Sequence, residues 1–142
     1  MSGFLLDTNI PSELIRTRPA QHVAHWVYSQ DERSLYLSAV SIGELRRGFV
    51  LLPVCQRRSE LERWFENDLL PSFDGRVLPV THSIADRWGT LDGRCHLRGT
   101  PLNTADGMIA ATALAYDLIV VTRNVKDFAG LGVTMFNPWN DQ

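Results

Sequence analysis

Short apolar segments alternate with helical segments along this chain, and this alternation constrains the fold more than any other feature of the sequence. The clearest strand is the apolar run LIVVT, and the predicted strands are residues 4–6, 34–40, 76–80, 118–122 and 133–136. The predicted helices lie between them, at residues 8–15, 23–30, 41–52, 57–73, 81–97 and 103–114. This order is typical of an α/β sandwich with a central, mostly parallel, short-stranded sheet. Ligands bind such sheets outside the carboxyl ends of the strands, so polar residues just after a strand are functional candidates.

The composition is that of an ordinary soluble globular protein. The chain has 142 residues, 44% hydrophobic and 21% charged, and we expect one domain over residues 1–142. No apolar run approaches the roughly 18 residues of a membrane helix, and the N-terminus lacks the basic segment of a signal peptide. Cys55 and Cys95 form no CxxC pair, which favours reduced thiols over a disulfide. These features predict a cytoplasmic protein that makes no membrane contact.

Arginine supplies thirteen of the fourteen basic residues, and Lys126 is the only lysine. The net charge of −2 does not by itself indicate a nucleic-acid binder. The guanidinium group of arginine pairs with phosphate or carboxylate in a bidentate manner, so the bias is compatible with phosphate binding. A genome rich in G and C would also favour arginine, and the sequence leaves both explanations open.

Four carboxylates from separate segments are predicted to meet at one edge of the sheet. Asp7 directly follows the strand at 4–6, Glu44 lies in the predicted first turn of the next helix, and Asp106 and Asp127 flank the strand at 118–122. Unpaired carboxylates that lie together repel and raise each other's pKa, unless a cation neutralises them. Hard divalent ions such as Mg²⁺ and Mn²⁺ suit oxygen ligands, activate water and stabilise charge on phosphoryl oxygens. The cluster therefore points to phosphodiester hydrolysis.

Each acid also has a structural explanation. Ser41 and Glu44 match a capping box, and Asn103 and Asp106 have the same spacing. Acids in a first turn complement the helix dipole, Asp7 could be a helix cap, and Asp127 could be a surface charge in a loop. Asp7 and Asp106 adjoin apolar sequence, where burying an unpaired charge is costly, so the structural explanation is weaker for these two.

Four segments carry a family resemblance in addition: LLDTNIPSEL, SAVSIGELRRG, TADGMIAATAL and LIVVTRNVKDF, in this order. Together they resemble the PIN-domain ribonucleases, specifically the VapC toxin group of type II toxin–antitoxin systems. The closing GVTMFNPW is similar to the FitB branch of that group. The resemblance covers essentially the whole chain and implies a PIN-like α/β/α sandwich and an Mg²⁺- or Mn²⁺-dependent endoribonuclease.

The resemblance also implies roles for individual residues. Asp7, Glu44 and Asp106 match the first three metal-binding acids, and Asp127 is the nearest carboxylate for the fourth. The polar residues expected to orient these acids are Asn9 and Thr122, with Thr8 and Ser41 as further candidates and Asn124 as a possible polar substitute at the fourth position. Gly107 stands where the family often has alanine, a departure that we do not expect to touch the chemistry. Metal-bound water is expected to attack the phosphorus of RNA.

Partners follow from the same resemblance. The candidates for holding the RNA backbone are Arg16, Arg46, Arg47 and Arg123, each of which could equally lie on a solvated helix face. The family implies a homodimer and a small VapB/FitA-like antitoxin. Trp26 and Tyr28 are expected either to line the antitoxin groove or to belong to the core. We expect no direct contact between this chain and DNA.

Two other functions remain open. One is a catalytically inactive PIN fold that binds RNA or protein, against which the retention of all four acids argues. The other is a phosphoacceptor receiver domain, a small parallel α/β fold with a metal-binding acidic site. A receiver domain normally has an acid pair after its first strand, whereas this chain has only Asp7 there.

Overall fold

The computed structural model describes residues 3–140 and contains, over that range, a five-stranded sheet in which every pairing is parallel. The strands stand in the order β3-β2-β1-β4-β5 and have the bounds β1 Gly3–Leu6, β2 Leu35–Ser38, β3 Val77–Leu78, β4 Leu118–Val121 and β5 Met135–Phe136. The predicted α/β fold with a mostly parallel sheet is confirmed. The chain runs outward from β1 on one side and continues from β4 on the other, so the carboxyl ends of β1 and β4 frame the topological switch point, where such sheets bind ligands.

The helices cover both faces of this sheet. Their bounds are α1 Asn9–Leu14, α2 Gln21–Ser29, α3 Ala39–Leu51, α4 Gln56–Trp64, α5 Leu70–Ser72, α6 His82–Leu97 and α7 Thr104–Tyr116. A π-helical segment, Phe65–Leu69, joins α4 to α5, and two 3₁₀ turns lie at Glu32–Ser34 and Val125–Phe128. None of the helices in the described part of the chain is long and apolar enough to cross a membrane.

Alternate residues of the central strands enter two separate cores. Leu6 and Val121 pack with α1 to α4 on one face, whereas Leu5 and Val120 pack with α6 and α7 on the other. Successive strand side chains point to opposite faces, so each central strand is buried on both sides. The body of α7 consists of small residues, and its alanines Ala110, Ala111 and Ala113 are fully buried. The helix can therefore lie close to the sheet.

Four predicted strands are shorter than the sequence pattern indicated: the strands predicted at 118–122 and 133–136 are limited to Leu118–Val121 and Met135–Phe136, and two others differ more. The strand predicted at 34–40 ends at Ser38, whose Oγ accepts a hydrogen bond from the Val40 N–H at 3.0 Å and so begins α3 at Ala39. The strand predicted at 76–80 is limited to Val77–Leu78, and Pro79, which has no N–H to donate to a neighbouring strand, follows directly. Cys55 is exposed and Cys95 is buried, and both are free thiols as predicted.

Candidate active site

Asp7 lies at the switch point of the sheet. Its backbone N–H donates to the Val121 carbonyl at 2.9 Å, which places the residue where β1 and β4 end together. The side chain is buried, with 5% of its surface exposed. Oδ2 accepts hydrogen bonds from Thr122 Oγ1 at 2.8 Å and Asn9 Nδ2 at 3.3 Å, and Oδ1 accepts one from the Thr8 N–H at 2.8 Å. The carboxyl group is therefore held in one orientation from three sides.

Opposing influences act on the pKa of Asp7, and the net effect raises it above the usual value for aspartate. Burial is the largest cause, because it disfavours the charged form. The hydrogen bonds from Thr122 and from the Thr8 N–H lower the pKa, since they stabilise the carboxylate. The negative charges of Glu44 and Asp127 raise it further. The hydrogen bonds to Asp7 thus only partly offset the effects of burial and of the neighbouring negative charges on its pKa.

Three polar residues predicted to orient the acids lie beside Asp7. Thr122 is fully buried, and its Oγ1 accepts a hydrogen bond from the Asn124 N–H at 3.0 Å. Asn124 thus supports Thr122 through its backbone. Asn9 directs its amide nitrogen at Asp7 and Thr122, while its Oδ1 is buried and has no hydrogen-bond partner among the described residues. A buried amide oxygen without a donor is uncommon and marks a place where a further polar ligand would fit.

Glu44 does not lie in the first turn of its helix, contrary to the sequence prediction. Because Ser38 caps α3, the helix starts two residues earlier than predicted, and its first turn contains no acid within the described structure. The capping box expected between Ser41 and Glu44 is consequently absent, because Ser41 is inside the helix. Glu44 is exposed, and its carboxylate is directed toward the end of β1.

Thr8 connects Glu44 to the end of β1. Its Oγ1 lies 2.5 Å from Glu44 Oε1 and 2.8 Å from Ser41 Oγ. Since a hydroxyl group has a single hydrogen to donate, Thr8 donates its hydrogen bond to the Glu44 carboxylate and accepts one from the buried Ser41 hydroxyl. These hydrogen bonds hold the Glu44 carboxylate at Thr8, the residue that follows Asp7.

Asp106 lies in the first turn of α7, as the sequence predicted. Asn103 caps the helix by accepting a hydrogen bond from the Asp106 N–H at 3.2 Å. The return bond of a capping box is missing: within residues 3–140, the Asp106 carboxylate accepts no hydrogen bond. Its pKa is raised to about 6, first by burial and then by the charges of Asp7, Asp127 and Glu44. Capping therefore does not account for this acid.

Asp127 lies on the 3₁₀ turn Val125–Phe128, just beyond the carboxyl end of β4. Its side chain is exposed, and it lines one cavity together with Asp106. Its charge raises the pKa of both Asp7 and Asp106, which shows that it is electrostatically close to both. The structure thus brings the four predicted acids to one edge of the sheet.

The four acids are close to one another but do not surround a single point as the ligands of a dehydrated metal ion would. No three acidic, histidine or cysteine side chains in the part of the chain that is described are arranged to hold one ion directly. Nor does any of the four acids form an ion pair with Arg, Lys or His within residues 3–140. The donors are oxygens, as hard divalent cations prefer, and Mg²⁺ commonly keeps several waters and takes only one or two carboxylates directly. The residues therefore fit a hydrated divalent cation better than a dehydrated one.

Of the four arginines predicted to bind RNA, three contact other groups of the chain. The contacts are Arg46 with Glu66 at 2.7 Å and Glu62 at 3.4 Å, Arg16 with Glu13 at 3.4 Å, and Arg123 over the ring of Trp139 at 5.2 Å. Arg46 also lies over the ring of Phe65, so two carboxylates and an aromatic face hold it. Arg47 is exposed on α3. A role in RNA binding stays a prediction for all four.

Gly107 has a packing role that the sequence did not indicate. A Cβ at this position would lie 2.7 Å from Trp88 Cδ1 and 2.8 Å from Leu102 Cδ2, closer than real Cβ atoms approach other atoms. The glycine thus lets Trp88 of α6 pack directly against residue 107, which follows Asp106, and the indole N–H is buried and, among the described residues, without an acceptor. Residues 88 and 107 meet through the packing of α6 on α7, which a one-dimensional pattern does not reveal.

Comparison with known proteins identifies the family. A model of the PIN domain matches residues 4–132, a range that includes all four acids. The chain is 37% identical to the VapC ribonuclease Y4jK of Sinorhizobium fredii, over 95% of this chain and 96% of the relative. It is 38% identical to the toxin FitB of Neisseria gonorrhoeae, over 96% and 99% respectively. The chain belongs to the PIN-domain family, in its VapC and FitB toxin group.

A solved structure of the same family has the same fold. FitAB bound to an IR36 DNA fragment contains a chain that superposes with a TM-score of 0.91 at 35% identity, covering 98% of this chain and 97% of that one. The predicted resemblance to the VapC group and its FitB branch is confirmed. In this PIN-domain protein, the match to the family model ends at residue 132, before β5 begins.

Proposed function

We propose that the protein is the toxin of a type II toxin–antitoxin system and a divalent-metal-dependent endoribonuclease. The observation that carries the proposal is the convergence of four carboxylates, without a compensating cation in the described structure, at the switch point of the sheet. The pKa values of two of them, Asp7 and Asp106, are raised, first by burial and then by the negative charges of the neighbouring acids. The names of the relatives, a VapC ribonuclease and a toxin, support the same activity and biological role.

Asp7, Glu44, Asp106 and Asp127 would hold Mg²⁺ or Mn²⁺, partly through water. Such an ion, when bound, lowers the pKa of a water molecule and stabilises charge on the phosphoryl oxygens. Thr122, Asn9 and the Thr8 N–H hold Asp7 in place by hydrogen bonds to both of its oxygens. The Asp106 oxygens, which accept no hydrogen bond from residues 3–140, are free to accept a proton from a water molecule. The chain thus offers Asp7, whose carboxylate is held by hydrogen bonds, and Asp106, whose carboxylate oxygens are available to a water molecule.

The partner we propose is a small VapB/FitA-like antitoxin that binds a groove beside the core that Leu6 and Val121 share with α1 to α4. The groove has a volume of about 470 Å³ and is lined by apolar residues such as Leu14, Val27 and Trp64. Tyr28 lies in its lining and is 77% exposed, whereas Trp26 packs against Phe4 and Phe136 at ring distances of 5.0 and 5.1 Å. Of the two aromatic residues considered from the sequence, Tyr28 thus faces the groove and Trp26 belongs to the core.

A groove of this kind suits the apolar face of an amphipathic helix. Tyr28→Ala should weaken antitoxin binding by about 2 kcal/mol, the scale of an interface hot spot, while Tyr116→Ala should not. Titration calorimetry with the purified antitoxin measures both, and equal affinities for the two variants would contradict the placement of the partner. We also propose a homodimer, which sedimentation of the toxin alone would test.

The experiment that tests catalysis compares acid variants with a matched control. Asp7→Asn and Asp106→Asn should lower the rate of RNA cleavage by about 100-fold or more, since each removes a negative charge that would hold the divalent cation, and the cation stabilises the charge on the phosphoryl oxygens. Asp74→Asn, an exposed acid away from the site, should cleave as the wild type does. Addition of EDTA should stop cleavage, and excess Mg²⁺ or Mn²⁺ should restore it.

The same preparations separate the enzyme from a catalytically inactive PIN module. A module without activity would show no cleavage in the wild type at any Mg²⁺ concentration. Full activity in Asp106→Asn, with the fold intact by circular dichroism, would refute the assignment of the site.

A further inference from the structure

One cavity beside the acids contains basic residues that the proposed chemistry does not use. It has a volume of about 500 Å³ and lies between the loop that follows α6 and the 3₁₀ turn Val125–Phe128. Its polar lining consists of Arg98, Thr100, Asn103, Asp106, Lys126 and Asp127. Volumes of about 300–1,000 Å³ are usual for sites that take small ligands, so the cavity has room for a nucleotide. Two of the proposed metal-binding acids, Asp106 and Asp127, thus line this cavity.

The wall that carries Arg98 is fixed at both ends. At the end of α6, Gly99 adopts a φ of +74°, which allows the Thr100 N–H to donate to the Cys95 carbonyl at 2.9 Å. The Thr100 hydroxyl donates to the same carbonyl at 3.3 Å. At the other end, Asn103 caps α7. These hydrogen bonds fix the backbone of the loop, which carries Arg98 in the lining of the cavity that Asp106 and Asp127 also line.

Neither cation of the cavity is neutralised by an acid of the chain. Arg98 and Lys126 form no ion pair with any carboxylate within residues 3–140, although Asp106 and Asp127 line the same cavity. The closest polar contact of the Arg98 guanidinium is the Cys95 sulfur, at 3.5 Å from Nη2. The cations therefore remain available for an anion from outside the chain.

The charges of the lining couple RNA binding to metal binding. Arg98 and Lys126 contribute two positive charges, and Asp106 and Asp127 contribute two negative ones, which sum to zero. A divalent cation on the acids changes this sum to two positive charges. A polyanion is then attracted to a cavity that is neutral in the absence of metal. No aromatic side chain lines the cavity in the described structure, so base stacking has no surface there, and phosphate contacts dominate.

We propose that this cavity is the subsite for the RNA nucleotide adjacent to the scissile phosphate, with Arg98 and Lys126 binding its phosphate group. The proposal rests on the ribonuclease activity proposed above and names residues that hold the substrate next to the acids. It places substrate recognition in the loop between α6 and α7 and in the turn after β4. The subsite recognises the backbone and accepts any of the four bases.

The test uses the full-length protein carrying Asp7→Asn, which lowers cleavage strongly but keeps Glu44 and the two acids of the cavity lining, Asp106 and Asp127, so that Mg²⁺ at saturating concentration still supplies the positive charge. Binding of a fluorescently labelled oligoribonucleotide is measured by anisotropy in Mg²⁺ at several salt concentrations. In this Asp7→Asn background, the additional substitution Arg98→Gln or Lys126→Gln should weaken binding by about 5- to 10-fold. Each should also lower the slope of log affinity against log salt concentration by about 1, because one phosphate contact is lost. Arg63→Gln, an exposed cation on α4, is the matched control and should change neither.

Cleavage kinetics in the background that retains Asp7 provide a second readout. Arg98→Gln and Lys126→Gln should raise KM for RNA with little change in kcat, and Arg98→Lys should recover part of the loss. Exchanging the base next to the cut should change KM by less than about 2-fold in the wild type, because the cavity reads phosphate.

Affinities and salt slopes equal to those of Arg63→Gln would overturn the subsite. A base preference that disappears in the variants would overturn recognition through the phosphate. If the protein with Asp7 intact does not cleave RNA while both variants still weaken binding, the subsite stands as an RNA site and the proposed activity fails. The two failures are therefore distinguishable.

Discussion

Replacing Asp106 with asparagine should make the protein more stable at neutral pH when no divalent cation is present. The side chain keeps its size and loses a charge that is half-buried beside Asp7, Asp127 and Glu44. Asn103 continues to cap α7, because it accepts its hydrogen bond from the backbone N–H of residue 106, which the substitution leaves in place. The substitution therefore removes the desolvation cost of a half-buried charge together with its repulsion by the other acids, and it leaves the rest of the helix start unchanged.

The pKa of Asp106 sets the size of this effect. A rise from 3.8 to about 6 corresponds to at most ~3 kcal/mol, at about 1.4 kcal/mol per pH unit. Solvent screening of the half-buried group reduces this to about 1–2 kcal/mol. The variant also loses a charge that favours the helix N-terminus, worth about 0.3–1 kcal/mol. A net gain of about 1 kcal/mol remains, which corresponds to about 2–4 °C in Tm for a chain of this size.

The pH dependence has a definite sign. An acid whose pKa is raised in the folded state binds protons more readily there than in the unfolded state, so its charge costs stability as the pH rises from 3.8 through about 6. The Tm advantage of Asp106→Asn should be complete above about pH 7 and absent below about pH 4. Mg²⁺ should reverse the order of stability, because the wild type binds the ion and gains about 2.7 kcal/mol at a hundredfold excess over Kd, while the variant gains less.

Differential scanning calorimetry of the wild type, Asp106→Asn and the control Asp74→Asn measures these differences at several pH values, with and without Mg²⁺. A variant that is less stable than the wild type in EDTA at neutral pH would refute the reasoning. That result would mean that the carboxylate supports the helix, as its position in the first turn of α7 also permits.

Three further perturbations test the surroundings of the acids. Thr122→Val removes the Oγ1 hydrogen bond to Asp7, so urea denaturation should show a loss of about 1–3 kcal/mol, and the acid limb of the cleavage pH profile should move to higher pH. Gly107→Ala forces Trp88 or α7 to move and should cost about 1–3 kcal/mol in the same assay, whereas Gly93→Ala, with open space around its Cβ, should be neutral or stabilising. Thr8→Val removes the donor to Glu44 Oε1, so Mg²⁺ titration followed by Tm should give a weaker affinity than the wild type, and an unchanged affinity would exclude a positioning role for Thr8.

The sequence located site residues best where each lies directly beside a strand or at the start of a helix that the local pattern identifies. Asp7 directly follows an apolar strand, and Asp106 lies in the first turn of an apolar helix, so the local sequence pattern located both. Glu44 was harder, because the helix boundary depended on Ser38. By its sequence pattern Ser38 is part of strand β2, but its side chain accepts a hydrogen bond from the Val40 N–H and so caps helix α3. A shift of two residues changed the explanation for Glu44 from a helix cap to a side chain bound by Thr8.

Other parts of the site depend on distances that sequence order does not contain. Trp88 reaches Gly107 because α6 packs against α7. Arg98 and Lys126 share a cavity although 28 residues separate them, and each is an unremarkable surface cation by local pattern. The partner of Arg46 was equally hidden, since Glu66 lies 20 residues further along on the π-helical segment Phe65–Leu69. Residues that bind extended substrates are often of this kind, because long-range packing places them.

The packing of α7 explains why the protein retains the repulsion between its acids. A helix whose first turn carries a charge close to another would relax by moving away, if its body allowed it. The body of α7 does not allow it, because Ala110, Ala111 and Ala113 are fully buried and Trp88 fills the space behind Gly107. The helix therefore stays in place, and the pKa of Asp106 is raised, first by burial and then by the charges of Asp7, Asp127 and Glu44. A cation held by these acids would offset their charge without moving the backbone, which is the condition for binding metal at little reorganisation cost.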